Sequence, residues 1–295
     1  MSTNETLHLA RWWKEANDGR VQCYLCPRAC TIADGTFGFC GVRKNIAGKL
    51  YSLSYGRPVS MNIDPIEKKP LAEFIPGTKT FSIGTFGCNL NCSFCQNASL
   101  SRDCYSGTSS ERYFSPEKII ELTLQHNCRS VAFTYNEPTV FAEYAIDVAK
   151  LAHAKDLQTV LVSNGYITPQ AAKDLYPHID AANIDMKGFA EEFYSTMTDS
   201  QLKPVLVSIK TLYDLNKHIE LTNLVIPGKN DAMKLIDLWL DWVDANLDKQ
   251  VPLHFSAFFP THEYHLSQRT PKETLLKIRE HAVERGFRSV YLGNI

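Results

Sequence analysis

The sequence predicts an α/β protein: a small cysteine-rich, metal-stapled lobe followed by a parallel sheet curled into a partial barrel. Three observations predict it. From residue 80 onward, short β-branched apolar runs alternate with amphipathic segments. Several of those segments open on a hydroxyl residue followed by proline, which is how a helix begins. Before them, residues 21–70 are punctuated by cysteine, glycine and proline and hold no sustained period.

Taken in order, residues 1–20 are expected to be helical, with Trp12 and Trp13 as packing anchors. The lobe is expected over residues 1–75 and the barrel over 76–295. The barrel strands are TFSIGTF, SVAFTY, QTVLVSN, AANIDM, IELTNLVI and VPLHFSAFF. Ser115-Pro116, Thr168-Pro169 and Thr270-Pro271 mark helix starts between them, and Thr270 with Glu273 forms a capping box. In KNDAMKLIDLWLDWVDANL, Leu235, Leu238, Trp239 and Trp242 recur at helical spacing and predict one buried face. Strands alternating with helices pair in parallel through right-handed crossovers. Six such units are fewer than the eight of a closed barrel.

The bulk numbers exclude several classes. A net charge of -1 over 295 residues gives no field for nucleic acid or an anionic membrane. No stretch of about 18 apolar residues exists to span a bilayer. MSTNETLHLARWWKEANDGR lacks the charged-then-apolar form of a secretory signal. The expectation is a cytoplasmic protein without nucleic-acid or membrane partners. Nine cysteines in such a chain are poor material for disulfides. Seven of them fall in two tight clusters, which points to metal.

The first strand runs into GTFGCNLNCSFCQN, so Cys88, Cys92 and Cys95 occupy its following loop at C-x3-C-x2-C. Functional residues of parallel barrels sit on such loops. Structural metal sites normally close with four cysteines, whereas three leave one position open for a substrate or cofactor. This spacing, with the aromatic Phe94 before the last cysteine, resembles the signature of radical S-adenosylmethionine (SAM) enzymes. The resemblance implies a partial (β/α)6 TIM-type barrel and a [4Fe–4S] cluster whose free iron is chelated by SAM. It implies reductive cleavage to a 5′-deoxyadenosyl radical, hydrogen abstraction from a protein, peptide or small molecule, and a reductant such as flavodoxin or ferredoxin. The bland alternative is a zinc knuckle.

Further strand ends carry candidate cofactor residues. Asn136 and Glu137 lie in TYNEP, where the superfamily commonly has Gly-Gly-Glu-Pro; Glu137 is placed to meet the ammonium of SAM, or simply to cap a helix. Asn164 is either a ligand of the carboxylate or ribose or part of an Asn-Gly turn. Asp185 and Lys187 share a face and resemble the Asp-Leu-Lys of glycyl-radical-enzyme activases; a plain ion pair is the alternative. Phe94 is expected along the adenine edge. His254 on the sixth strand is more readily a core histidine than a site residue.

Cys23, Cys26, Cys30 and Cys40 form a closed C-x2-C-x3-C-x9-C set, suited to zinc or to an auxiliary iron–sulfur cluster. Cys128 reads as a small buried apolar residue; Cys104 follows the cluster loop without an assigned role. HEYH at His262–His265 spaces its histidines three apart rather than four, which does not make a zinc protease. Together C-x-L-C-P-x-x-C, C-G-V-R, GCNLNCSFCQN and TYNEPT resemble the radical SAM protein of the AmmeMemoRadiSam system, in the pyruvate formate-lyase activating-enzyme-like group. A glycyl-radical activase activity follows as one expectation. The competing class is a non-catalytic iron–sulfur or zinc protein, an electron carrier or scaffold.

Overall fold

The computed structural model describes residues 7–102 and 113–295. In chain order the lobe holds His8–Leu9 (β1), Trp13–Glu15 (β2), Val21–Cys23 (β3), Thr31–Ile32 (β4), Arg43–Ile46 (β5) and Lys49–Ser52 (β6). These make two antiparallel sheets, β2-β3-β4 and β1-β6-β5. The expected N-terminal helix is therefore corrected to strands over the described residues. Its cause is Asn17-Asp18-Gly19: Asp18 and Gly19 take φ of 59° and 68°, which turns the chain back so that β2 pairs with β3. Trp12 is still an anchor, buried with its indole N–H donating to Asp174 at 2.8 Å.

Ser60–Pro65 (β7) runs antiparallel to Lys79–Gly84 (β8). Ser130–Phe133 (β9), Gln158–Ser163 (β10), Ala181–Asp185 (β11), His218–Val225 (β12) and Leu253–Ala257 (β13) follow in parallel, each beside its predecessor. All six expected strands are present. Val290–Gly293 (β14) adds a further parallel strand at the far edge. The eight-stranded order runs from β14 to β7, so the sheet ends in two edges, as a partial barrel does.

The helices are Ala98–Ser101 (α1), Pro116–Gln125 (α2), Ala142–His153 (α3), Pro169–Leu175 (α4), Glu191–Met197 (α5), Leu202–Asp214 (α6), Met233–Asn246 (α7) and Lys272–Glu284 (α8). Ser115 and Thr168 cap α2 and α4 through the backbone N–H of Lys118 and Ala171, as predicted. Thr270 does not cap α8. Its hydroxyl donates to the Val225 carbonyl and accepts from the Phe258 N–H, joining the ends of β12 and β13. The buried face of α7 is Ile236, Trp239, Leu240 and Val243, with Leu238 exposed. Both sets fit a helical period, and packing on the sheet selects this one.

Two faces of the sheet have different tasks. Outward residues such as Phe81, Val131, Phe133, Ile184, Leu221 and Phe255 join the main core under the helices. Inward, Ala132, Val160 and Ala181 pack against Ile66 and Leu71, with Phe74 and Ile75 alongside. The segment 66–75 thus fills the lower barrel. Its backbone is held by Glu220, which accepts from the N–H groups of Ala72 and Glu73, both at 2.9 Å. Because side chains alternate along a strand, the same inward rows continue to Thr134, Asn164 and Asp185 at the C-terminal rim. The barrel interior changes from apolar to polar along its axis. Among the described residues, no helix is long and apolar enough to cross a membrane.

Candidate active site at the C-terminal rim

A cavity of about 510 Å³ opens at that rim, and Cys88, Cys92 and Cys95 line it. Their loop follows β8 and is held along its length. Asn136 accepts from the Thr85 N–H and donates to the carbonyls of Phe86 and Gly87. The N–H groups of Asn91 and Ser93 donate to the carbonyls of Thr198 and Met197, tying the loop to the end of α5. Burial pushes the Cys88 thiol well above its ordinary range, and the Glu137 carboxylate adds to it. Burial takes Cys92 up to about 12 against the opposing charge of Lys187.

The cavity also contains Phe94, Asn136, Glu137, Asn164, Asp185 and Lys187, so the structure brings every sequence-predicted cofactor residue to one place. Phe94 is buried, its ring 5.9 Å from that of Phe193. Glu137 is buried too; its Oε1 accepts from the Thr139 N–H and hydroxyl and from Ser163, and its Oε2 accepts from the Asn164 N–H at 2.9 Å. Burial raises its pKa while those donors oppose the rise. Asn164 makes the turn anticipated for Asn-Gly through its Oδ1 and the Tyr166 N–H. Its Nδ2 meanwhile donates to Asn89 and reaches the Cys88 sulfur at 3.7 Å. Asp185 and Lys187 form an ion pair of 2.8 Å. Burial disfavours the lysine charge, but Asp185 and the neighbouring cysteines outweigh it and raise its pKa.

Sequence reasoning missed one part of the wall, Lys68, Lys69 and Tyr135. Asp64 accepts from all three, at 2.8 Å from Lys68, 2.6 Å from Lys69 and 2.7 Å from Tyr135. Burial alone would raise Asp64; these donors hold it well below the usual carboxylate range. Tyr135 takes a φ of 73°, a left-handed backbone that glycine adopts freely and tyrosine does not. It stands where the family pattern has glycine. That departure, visible in TYNEP, was the available signal.

The other candidates lie elsewhere. His254 is buried, with Nε2 2.6 Å from Glu220 and its ring stacked on Tyr291. The HEYH histidines sit on a surface turn at His262–Tyr264 and its edge. Cys128 is buried, as its apolar reading requires. Cys104 falls outside the described residues.

The radical SAM superfamily model matches residues 82–238, more than half of the chain. The chain belongs to the radical SAM superfamily. An uncharacterized protein of Methanocaldococcus jannaschii is 39% identical over 286 residues, covering 97% of this chain and 85% of that one. A second protein of that organism, named "Putative glycyl-radical enzyme activating enzyme", is 22% identical over 221 residues, 72% of this chain and 77% of its own. Among solved structures, a radical SAM methyltransferase from Sphaerobacter thermophilus superposes with a TM-score of 0.57 at 12% identity, covering 75% of this chain and 68% of that chain. That likeness is one of fold. Radical SAM membership implies a [4Fe–4S] cluster and SAM. The donor set fits both, with three thiols on one loop and a buried carboxylate and a lysine–carboxylate pair on the same cavity wall.

Proposed function

We propose that this radical SAM enzyme abstracts hydrogen from a protein, peptide or small-molecule substrate held over the barrel rim, in the manner of the activating-enzyme-like group. The observation that carries the reading is the convergence of Cys88, Cys92, Cys95, Glu137, Asp185 and Lys187 on one cavity. When bound, the cluster and SAM supply one-electron reductive cleavage and the hydrogen abstraction that follows. The chain's own residues bind and orient. Cys88, Cys92 and Cys95 would hold the cluster from one loop, beside the residues that would hold SAM. Among the described residues Glu137 Oε2 receives a single hydrogen bond, which leaves a lone pair for the ammonium of SAM. Asn136 acts by bracing the cluster loop, and Asn164 by fixing Glu137 and flanking Cys88. Asp185 and Lys187 face the ribose and carboxylate, and Phe94 the adenine. Cys23, Cys26, Cys30 and Cys40 form a second metal site. A reductant such as flavodoxin or ferredoxin delivers the electron.

Reconstituted wild type with dithionite and SAM should form 5′-deoxyadenosine, measured by chromatography. Cys88→Ala/Cys92→Ala/Cys95→Ala should form none, and turnover retained in that variant would overturn the assignment. The activase reading rests on the distant relative bearing that name. It predicts a glycyl-radical signal by electron spin resonance when a glycyl-radical protein is added. Deoxyadenosine formation without that signal would leave a peptide or small molecule as substrate.

A further inference from the structure

The four lobe cysteines come from three separate places. Cys23 ends β3, Cys26 and Cys30 lie in the turn after it, and Cys40 lies in the turn before β5. The Cys23 N–H donates to the Cys30 carbonyl at 2.9 Å, which draws the first three together. All four are free thiols lining one small cavity whose other walls include Leu25, Ile32 and Val140.

A single zinc ion draws its sulfurs to about 2.3 Å of one point and leaves no room between them. Here the four thiols surround a cavity.

Arg43 lines the same cavity and is 1% exposed. Its Nη1 donates to the Arg11 carbonyl at 3.0 Å, and its Nη2 to both Glu143 oxygens at 2.6 Å. Among the described residues the Nε–H has no partner. Buried guanidinium donors are seldom left so, and a cluster sulfur is an acceptor that would complete this one. The cavity also adjoins the barrel site. A Cβ on Gly87, one residue before Cys88, would lie 2.3 Å from the Cys40 carbonyl oxygen.

We infer that the lobe binds a second [4Fe–4S] cluster, ligated by Cys23, Cys26, Cys30 and Cys40 and hydrogen-bonded by the Arg43 Nε–H. This deepens, and rests on, the reading of these cysteines as a metal site; it does not depend on the barrel triplet.

The test is iron, sulfide and zinc per chain in the anaerobically purified full-length Cys88→Ala/Cys92→Ala/Cys95→Ala variant. The expected result is about four irons with about four sulfides and no zinc. One zinc without iron, or neither metal, overturns the inference. The Cys23→Ala/Cys26→Ala/Cys30→Ala/Cys40→Ala variant separates the two readings: iron absent there but present in the triplet variant upholds the lobe cluster and refutes the barrel one. Arg43→Lys in the triplet background keeps a positive charge against Glu143 and removes the Nε–H. The remaining cluster should then show a more negative midpoint potential, because hydrogen bonds to sulfur raise it. An unchanged potential overturns the part assigned to Arg43.

Discussion

At the scale of single residues, the site is a set of charges each held by a neighbour. Lys187 is compensated by Asp185 at 2.8 Å inside the cavity. Its proposed contact with SAM is a charge-assisted hydrogen bond, worth roughly 1.5–3 kcal/mol. Lys187→Met should therefore weaken SAM binding by roughly 10- to 100-fold in anaerobic equilibrium dialysis, with iron content unchanged. Equal affinity would mean the pair is structural. Glu220 shows the same logic away from the rim. Burial by itself would raise its pKa, but donors from His218, His254 and the N–H groups of Glu73 and Ala72 bring it down from 4.5 to about 2. A carboxylate so depressed contributes stability above its ordinary pKa and loses it as pH falls through the folded value. Wild type should lose more stability than Glu220→Gln between about pH 4.5 and about pH 2, measured by denaturant unfolding. Parallel curves would show that the carboxylate charge is not what holds the 66–75 segment.

At the scale of elements, the cluster loop depends on a close approach that only glycine permits. Gly87 takes a φ of 86°, and an added Cβ would meet the Cys40 carbonyl oxygen at 2.3 Å and Val42 at 2.9 Å. Both obstacles leave little room to shift, since one is backbone and the other a buried side chain. Gly87→Ala should cost more than about 1 kcal/mol and lower iron occupancy at the triplet, because the loop must separate from the lobe. Thermal unfolding and iron analysis on one preparation measure both, and wild-type values for each would show that the loop adapts. The prolines and hydroxyls before α2 and α4 act within one turn of the chain, so their capping was legible from sequence. The hydroxyl of Thr270 was misread because its partners, Val225 and Phe258, come from two other strands' ends.

For the whole molecule, the partial barrel works as an enzyme scaffold because a piece of the N-terminal connection occupies its lower interior. Ile66 and Leu71 are fully buried against Ala132, Val160 and Ala181, which confines the cavity to the polar rim. Leu71→Ala should cost about 2–5 kcal/mol in denaturant unfolding, the range for a fully buried leucine. A cost well below that range would mean the segment lies loosely in the barrel. The buried Arg43–Glu143 pair is a second long-range tie, joining β5 to α3 across the boundary between lobe and barrel. Neither tie could be read from IEKKPLAEF or CGVR, since their partners stand about 60 to 150 residues away in the chain.

What the sequence alone determined were features whose parts lie close together along the chain. The two cysteine spacings, the six apolar runs and the hydroxyl–proline starts each fit within about twenty residues, where local geometry leaves few options. From them came the α/β class, the open three-thiol loop and the strand-end positions of Glu137, Asp185 and Lys187. Tertiary structure decided what depends on distant partners. It folded residues 13–23 as a hairpin, recruited VYLG as another strand, threaded 66–75 into the barrel and consumed Asn136 and His254 in internal bonds. The physical reason is that a polar side chain bonds to whatever donor or acceptor the fold brings within about 3 Å, and sequence spacing does not record that distance.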